Sequence, residues 1–204
     1  MKKVLVFLGA MMMVFSVVVG HAIASSINVA SVTASSTYSG WDVDNIINGV
    51  GINGSPPLHD EITSDNAWMS DRNDKTGWLI FDLGSTYTVT STDVWQYGHW
   101  NVHPRGVKGF QILSSINGTD YTSVTYLTLK EVSTTPNAAE SFSLDTDARY
   151  IKFDIQSNWG GGTFTGLSEV QFNGSPVPIP GAVWLLGTGL AGLAGIRIGR
   201  KKEN

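Results

Sequence analysis

The chain has 204 residues and no cysteine, with 13 Lys/Arg against 17 Asp/Glu. The charge is unevenly placed: residues 26–174 hold seven basic and sixteen acidic side chains, while six of the thirteen basic residues lie in the two ends. An acidic body argues against nucleic acid and anionic membrane surfaces as partners. The missing cysteine excludes disulfide staples and a thiol nucleophile, so stability must come from core burial, with or without a bound metal ion.

The N-terminal segment opens with Lys2 and Lys3, continues apolar from Val4 to Val19 and reaches Ala22-Ile23-Ala24. A basic start, a short apolar helix and small residues at −3 and −1 predict a signal peptide over 1–24, cut before Ser25. Export places the next segment, 25–174, outside the cytoplasm.

Within 25–174 no apolar period of 3.6 lasts three turns. Short runs rich in Val, Ile, Thr and aromatics recur instead between Gly, Asn, Asp and Ser clusters, and they predict strands. The runs are 77–83, 87–97, 107–114, 122–129, 140–144, 149–156 and 168–172. In the sixth, Ile151, Phe153 and Ile155 alternate with Lys152, Asp154 and Gln156, the pattern of a half-buried strand. Asn117-Gly118-Thr119-Asp120 reads as a hairpin turn in which Asn and Gly supply positive φ. Leu83-Gly84 and Gly160-Gly161-Gly162 read as loops. About eight strands at this spacing predict an all-β, two-sheet sandwich.

The C-terminal segment, 175–204, begins Ser175-Pro176-Val177-Pro178-Ile179-Pro180. Fifteen uncharged residues follow from Ala182 to Ile196, and the chain ends with Arg197, Arg200, Lys201 and Lys202. The prolines exclude helix before Pro180. The apolar stretch is shorter than the roughly 20 residues of a comfortable bilayer span, and the basic end predicts a cytoplasmic terminus. Pro motif, hydrophobic helix and basic end, in that order, resemble the PEP-CTERM sorting signal of Gram-negative bacteria. Here Ile179 stands where Glu is usual. The resemblance implies transient inner-membrane insertion, recognition by an exosortase around Val177, Pro178 and Pro180, and delivery to the cell surface or extracellular matrix. A plain membrane anchor is the competing reading.

Several phrases in 25–174 occur in a telling order: Asn45-Ile46-Ile47-Asn48-Gly49, Ala67-Trp68-Met69-Ser70, Gly77-Trp78-Leu79-Ile80-Phe81-Asp82-Leu83-Gly84 and Arg105-Gly106-Val107-Lys108. Ser115-Ile116-Asn117-Gly118-Thr119-Asp120-Tyr121, Ala148-Arg149-Tyr150-Ile151-Lys152-Phe153 and Gly166-Leu167-Ser168-Glu169-Val170-Gln171-Phe172 complete the set. Together they resemble the F5/8 type C, or discoidin-like, domain, including family 32 carbohydrate-binding modules. The resemblance implies a jelly-roll sandwich of the galactose-binding-domain type, with first and last strands adjacent. It also implies a structural Ca²⁺ held by a loop and a Glu of the closing strand, here Asn48 and Glu169. Asn53, Ser55, Asp60, Ser64 or Asp65 are further possible ligands. Calcium takes six to eight oxygens at about 2.3–2.6 Å, and Asn in place of Asp offers an oxygen without a charge.

Sugar modules lay an aromatic ring on the apolar face of a pyranose and use amide, imidazole and guanidinium groups on its hydroxyls. The segment 98–105 supplies all of these in His99, Trp100, Asn101, His103 and Arg105, and Trp159 offers a second ring. Tyr38, Trp41 and Phe164 are further aromatic candidates, whereas Trp68 and Trp78 are expected in the core. The same residues could simply cover the end of the sandwich. His99 and His103 have a zinc-like spacing, but ligation at that spacing relies on a helix that Gly98 and Pro104 disfavour. No nucleophile elbow, H-E-x-x-H or phosphate loop is present, so no enzyme is expected. The expected function is a non-catalytic glycan- or exopolysaccharide-binding module. A structural matrix protein or a protein-binding adhesin is the alternative.

Overall fold

The computed structural model describes residues 25–177. The expected signal peptide, and the tail from residue 178 with Pro178 and Pro180, lie outside the described residues. Among the described residues there are eleven strands: β1 (Ser25–Ile27), β2 (Ser31–Ala34), β3 (Ile52–Asn53), β4 (Leu58–His59), β5 (Trp68–Met69) and β6 (Gly77–Gln96) come first. They are followed by β7 (Val107–Ser115), β8 (Thr122–Thr128), β9 (Asn137–Ala138), β10 (Glu140–Asn158) and β11 (Gly166–Pro176).

Two of these strands build both layers of the sandwich. The first half of β6 pairs with β2 and with the second half of β10, whose other side pairs with β7 and then β8. The second half of β6 pairs with the first half of β10 and with β11, which carries β1 and β5. The ladder between β6 and β10 breaks register between Ser143/Thr146 and Ala148/Tyr150, where Asp145 has φ 49°. These irregularities let both strands turn from one layer into the other. At this corner Arg149 grips Asp82 through two hydrogen bonds of 3.0 Å, holding its carboxyl below the usual range.

The expected breaks at Leu83-Gly84 and after Leu144 are therefore bends inside β6 and β10, not loops. Punctuating residues mark a change of direction that local pattern cannot distinguish from an end. The first and last strands do lie together, Ser25 opposite Gly174. The hairpin between β7 and β8 is present, with a correction at its tip. Gly118 has φ 79° but Asn117 does not have a positive φ. Asn117 acts through its side chain, whose Oδ1 accepts the N–H groups of Thr119 and Asp120.

Alternation drives the core. Leu79 and Phe81 on β6, Phe110 and Ile112 on β7, and Ile151 and Phe153 on β10 are fully buried. Phe172 of the opposite layer meets Phe81 at 5.2 Å and Phe153 at 6.1 Å, and Phe110 meets Phe153 at 4.9 Å. The edge-to-face contacts of Phe172 with Phe81 and Phe153 tie the two layers together. Trp68 is buried as expected. Trp78 is not: with Leu79 and Phe81 facing inward it lies half-buried on the outer face, Lys152 Nζ 6.0 Å from its ring. A small sheet, β3–β4–β9, closes over the second layer and leaves His59 fully buried.

Candidate functional site

Residues 36–41, 61–67, 98–105 and 159–165 meet as loops at one end of the sandwich. Tyr38 N–H donates to Met69 O at 2.8 Å and Ile62 N–H to Gly98 O at 3.4 Å. Gly161 N–H donates to Pro104 O at 2.8 Å. A β-carbon at 161 would stand 2.5 Å from Arg105 N, so only glycine lets these two loops touch. Beneath the loops Ile62, Ala67, Met69, Tyr97 and Phe164 form a separate small core, flanked by Tyr38, Trp41 and Val102. This second core gives the crown loops a packed apolar base of their own.

A cleft of about 390 Å³ opens in the crown, lined by Trp41, Ile62, Tyr97, His99, Val102 and Arg105 among others. Its walls are mostly apolar with a few convergent polar groups, the usual make-up of a small-ligand site. Arg105 is half-buried, its guanidinium 4.9 Å from the centre of the Phe164 ring and 3.8 Å from Met69 Sδ. The Tyr97 hydroxyl donates to the same sulfur at 3.6 Å, and burial pushes its pKa up. His99 Nδ1 accepts the N–H groups of Asn101 at 3.0 Å and Val102 at 3.3 Å, so the neutral ring carries its proton on Nε2. That atom lies 3.4 Å from Glu61 Oε1. Trp100 is 70% exposed, and its ring is stacked beside His99 at 5.8 Å and 20°.

Of the six residues selected from sequence for ligand binding, His99 and Arg105 line the cleft. Trp100 and Asn101 are exposed beside them. His103 is held elsewhere, its Nδ1 2.8 Å from Glu131 Oε1. With His99 turned to Glu61, the two imidazoles do not converge on a common metal position. Trp159 donates from Nε1 to Leu129 O at 3.2 Å and carries Lys108 Nζ 4.6 Å from its ring, outside the cleft lining. Phe164 is buried and serves as the wall behind Arg105. Sequence reading missed Tyr97, Ile62 and Val102. Nothing in their spacing separates a cleft wall from ordinary core.

The expected metal residues also meet. Glu169 is 1% exposed, and Gly49 N–H lies 3.2 Å from each of its carboxylate oxygens. Burial without a cationic partner raises its pKa to about 7. The carboxyl faces a cavity of about 260 Å³ lined by Ser26, Asn28, Asn48 and Gln171 among others. Asn48 Oδ1 accepts Val50 N–H at 2.7 Å, which leaves one lone pair, and its Nδ2 donates to Asp65 O at 3.4 Å. An uncompensated buried carboxylate among neutral oxygens fits a hard cation in charge and donor type. Asp60 is bonded to Asn53 at 2.7 Å and Asp65 to Ser64 at 3.2 Å, and neither lines this cavity.

No curated protein sequence matches the chain. Solved structures share its fold. The family 32 module of NanJ from Clostridium perfringens, solved with galactose, superposes with TM-score 0.55 at 20% identity, covering 74% of this chain and 99% of that one. The family 32 module of AlyQ, solved with 4,5-unsaturated mannuronic acid, gives 0.51 at 25% identity over 72% of this chain and 97% of its own. A family 89 glycoside hydrolase from C. perfringens gives 0.55 at 20% identity over 74% of this chain, but the chain spans only 15% of that enzyme. The F5/8 type C domain matches residues 31–170. An all-β sandwich with this match over most of its described length belongs to the F5/8 type C domain family.

Proposed function

We propose that the chain is a secreted, non-catalytic carbohydrate-binding module whose loop crown holds a sugar. The observation that carries this reading is the exposed Trp100 ring, stacked beside His99 next to a preformed cleft with Arg105 in its wall. A pyranose lays its C–H face on Trp100, while Arg105 and Asn101 take its hydroxyls. Such a single site gives modest affinity, and retention on a polymer then comes from many modules acting together. Two structural neighbours solved with sugars support the reading.

Around this module we place a signal peptide at 1–24 and a sorting tail at 175–204, processed by an exosortase after transient insertion in the inner membrane of a Gram-negative bacterium. The product then enters the cell surface or the exopolysaccharide matrix. Glu169 and Asn48 would hold Ca²⁺, which supplies charge neutralisation for the buried carboxylate and fastens the loop after Asn48.

A glycan array of the wild-type chain, with and without EDTA, tests the proposal. Saturable binding that disappears in Trp100→Ala supports it, and no binding to any neutral or acidic glycan overturns it. Mass spectrometry of the extracellular protein tests the ends. A chain still carrying Lys201 and Lys202 contradicts tail processing.

A further inference from the structure

We infer that His99 is the positioning residue of the crown: its neutral imidazole holds the Trp100–Val102 loop through two backbone hydrogen bonds, and protonation of the ring releases that loop. The inference rests on the reading of the crown as a carbohydrate site. It adds the device that orients the aromatic platform and makes it sensitive to acid.

His99 Nδ1 faces two donors of its own loop, the N–H of Asn101 at 3.0 Å and that of Val102 at 3.3 Å. The same pattern occurs in the hairpin between β7 and β8, where Asn117 Oδ1 accepts from Thr119 at 3.0 Å and from Asp120 at 2.9 Å. In both places a side-chain acceptor takes the N–H groups two and three residues on and closes a tight loop. A short polar side chain is the usual choice for this task. At 99 an aromatic ring performs it, and the ring makes two further contacts. Its Nε2 lies 3.4 Å from Glu61 Oε1, which ties the loop to the neighbouring segment, and its face stacks beside Trp100 at 5.8 Å and 20°. Trp100 is 70% exposed, and among the described residues its recorded ring contact is with His99. The platform therefore depends on one side chain for both its loop closure and its ring contact.

An amide oxygen and an imidazole nitrogen differ in one decisive respect. The amide accepts at every ordinary pH, whereas the imidazole accepts only while Nδ1 carries no proton. Once both ring nitrogens bear hydrogen, Nδ1–H points at two N–H groups and neither bond survives. Glu61 does not offset this loss. In the neutral ring Nε2–H already faces it, and a pair whose side chains are 24% and 49% exposed gains little from added charge. Arg105 shares the cleft wall and repels a second cation, while the Tyr97 hydroxyl is neutral and Trp41, Ile62 and Thr63 carry no charge. His103 is turned away to Glu131.

The test pairs two readouts on the full chain. In nitrogen NMR of the histidine rings at pH 8, His99 Nδ1 should show the signature of an unprotonated acceptor, with the amides of Asn101 and Val102 protected from exchange. At pH 5 that protection, corrected for intrinsic rates, should fall roughly tenfold, the scale of two modest neutral hydrogen bonds. In His99→Asn both amides should stay protected at either pH, because the new acceptor does not titrate. On a glycan array the wild type should lose binding at pH 5 and His99→Asn should keep it. His99→Phe, which retains a ring without an acceptor, should bind poorly at both pH values with an unchanged melting temperature. A proton on Nδ1 at pH 8, or equal protection of the two amides at both pH values, overturns the inference. Loss of binding in His99→Asn as complete as in His99→Phe overturns the positioning role, since the ring then meets the sugar itself. A wild type that binds no glycan overturns the carbohydrate reading alone, and the amide readout still decides the role of His99.

Discussion

Replacing Glu169 with Gln should stabilise the calcium-free protein at alkaline pH, although it removes the one carboxylate at the proposed metal loop. In the fold the carboxyl is buried with Gly49 N–H as its main partner, and its pKa rises from 4.5 to about 7. Between those values the folded protein keeps a proton that the unfolded chain has released. The contribution is therefore fully present below pH 4.5 and is lost as pH rises through 7. Above that, the interval corresponds to about 3 kcal/mol of destabilisation by the ionised form. Gln keeps the shape and can still accept from Gly49 without the charge. Urea unfolding of both proteins in EDTA at pH 5 and pH 8 measures this directly. The wild type should lose about 2–3 kcal/mol relative to Glu169→Gln between the two pH values, a double difference in which all other titrating groups cancel. Calcium at pH 8 should restore the wild type and leave the variant unmoved. A variant that is the less stable protein at pH 8 in EDTA would refute the reasoning, because the carboxylate would then be worth more than its burial costs.

His59 moves the other way. Burial lowers its pKa below 6.5, so the stability of the neutral ring is present above that value and is lost as pH falls below it. Amide exchange in residues 49–60, corrected for intrinsic rates, should accelerate at pH 5 relative to pH 7, and equal protection at both contradicts the placement. Phe153→Ala removes the ring that touches Phe81, Phe110 and Phe172, and should cost about 3–5 kcal/mol in a urea melt. A cost below about 1 kcal/mol would contradict its central place. Gly161→Ala should weaken glycan binding with little change in melting temperature, since its β-carbon forces the two crown loops apart while the main core is untouched. Unaltered binding would show that the crown tolerates the shift.

Much of the fold was legible because alternation leaves a direct trace: Ile151, Phe153 and Ile155 face inward as their spacing demands. What alternation does not record is continuity. Gly84 and Asp145 look like ends of strands, yet both sit where a long strand turns from one layer to the other. Trp78 was misplaced for a related reason, since its size suggested the core while its parity with Leu79 puts it outside. The crown was partly legible. Residues 98–105 announce themselves by chemistry, but the orientation of His103 toward Glu131 and the anchoring of Trp159 on Leu129 depend on β8 and the loop after it, distant in sequence. Tyr97 and Met69 became meaningful only when folding set them behind Arg105, and Phe164, an aromatic candidate from sequence, proved to be a buried wall behind the same guanidinium.

The central claim is that sugar is bound in the crown, and amide and indole chemical-shift mapping of the isotopically labelled chain tests it most directly. On titration with a glycan that the array selects, the largest shifts should fall on residues 98–105, the Trp100 indole N–H, and Arg105 Nε–H. Shifts confined to the outer sheet face around Trp78 and Tyr126, or to the Glu169 loop, would contradict the account.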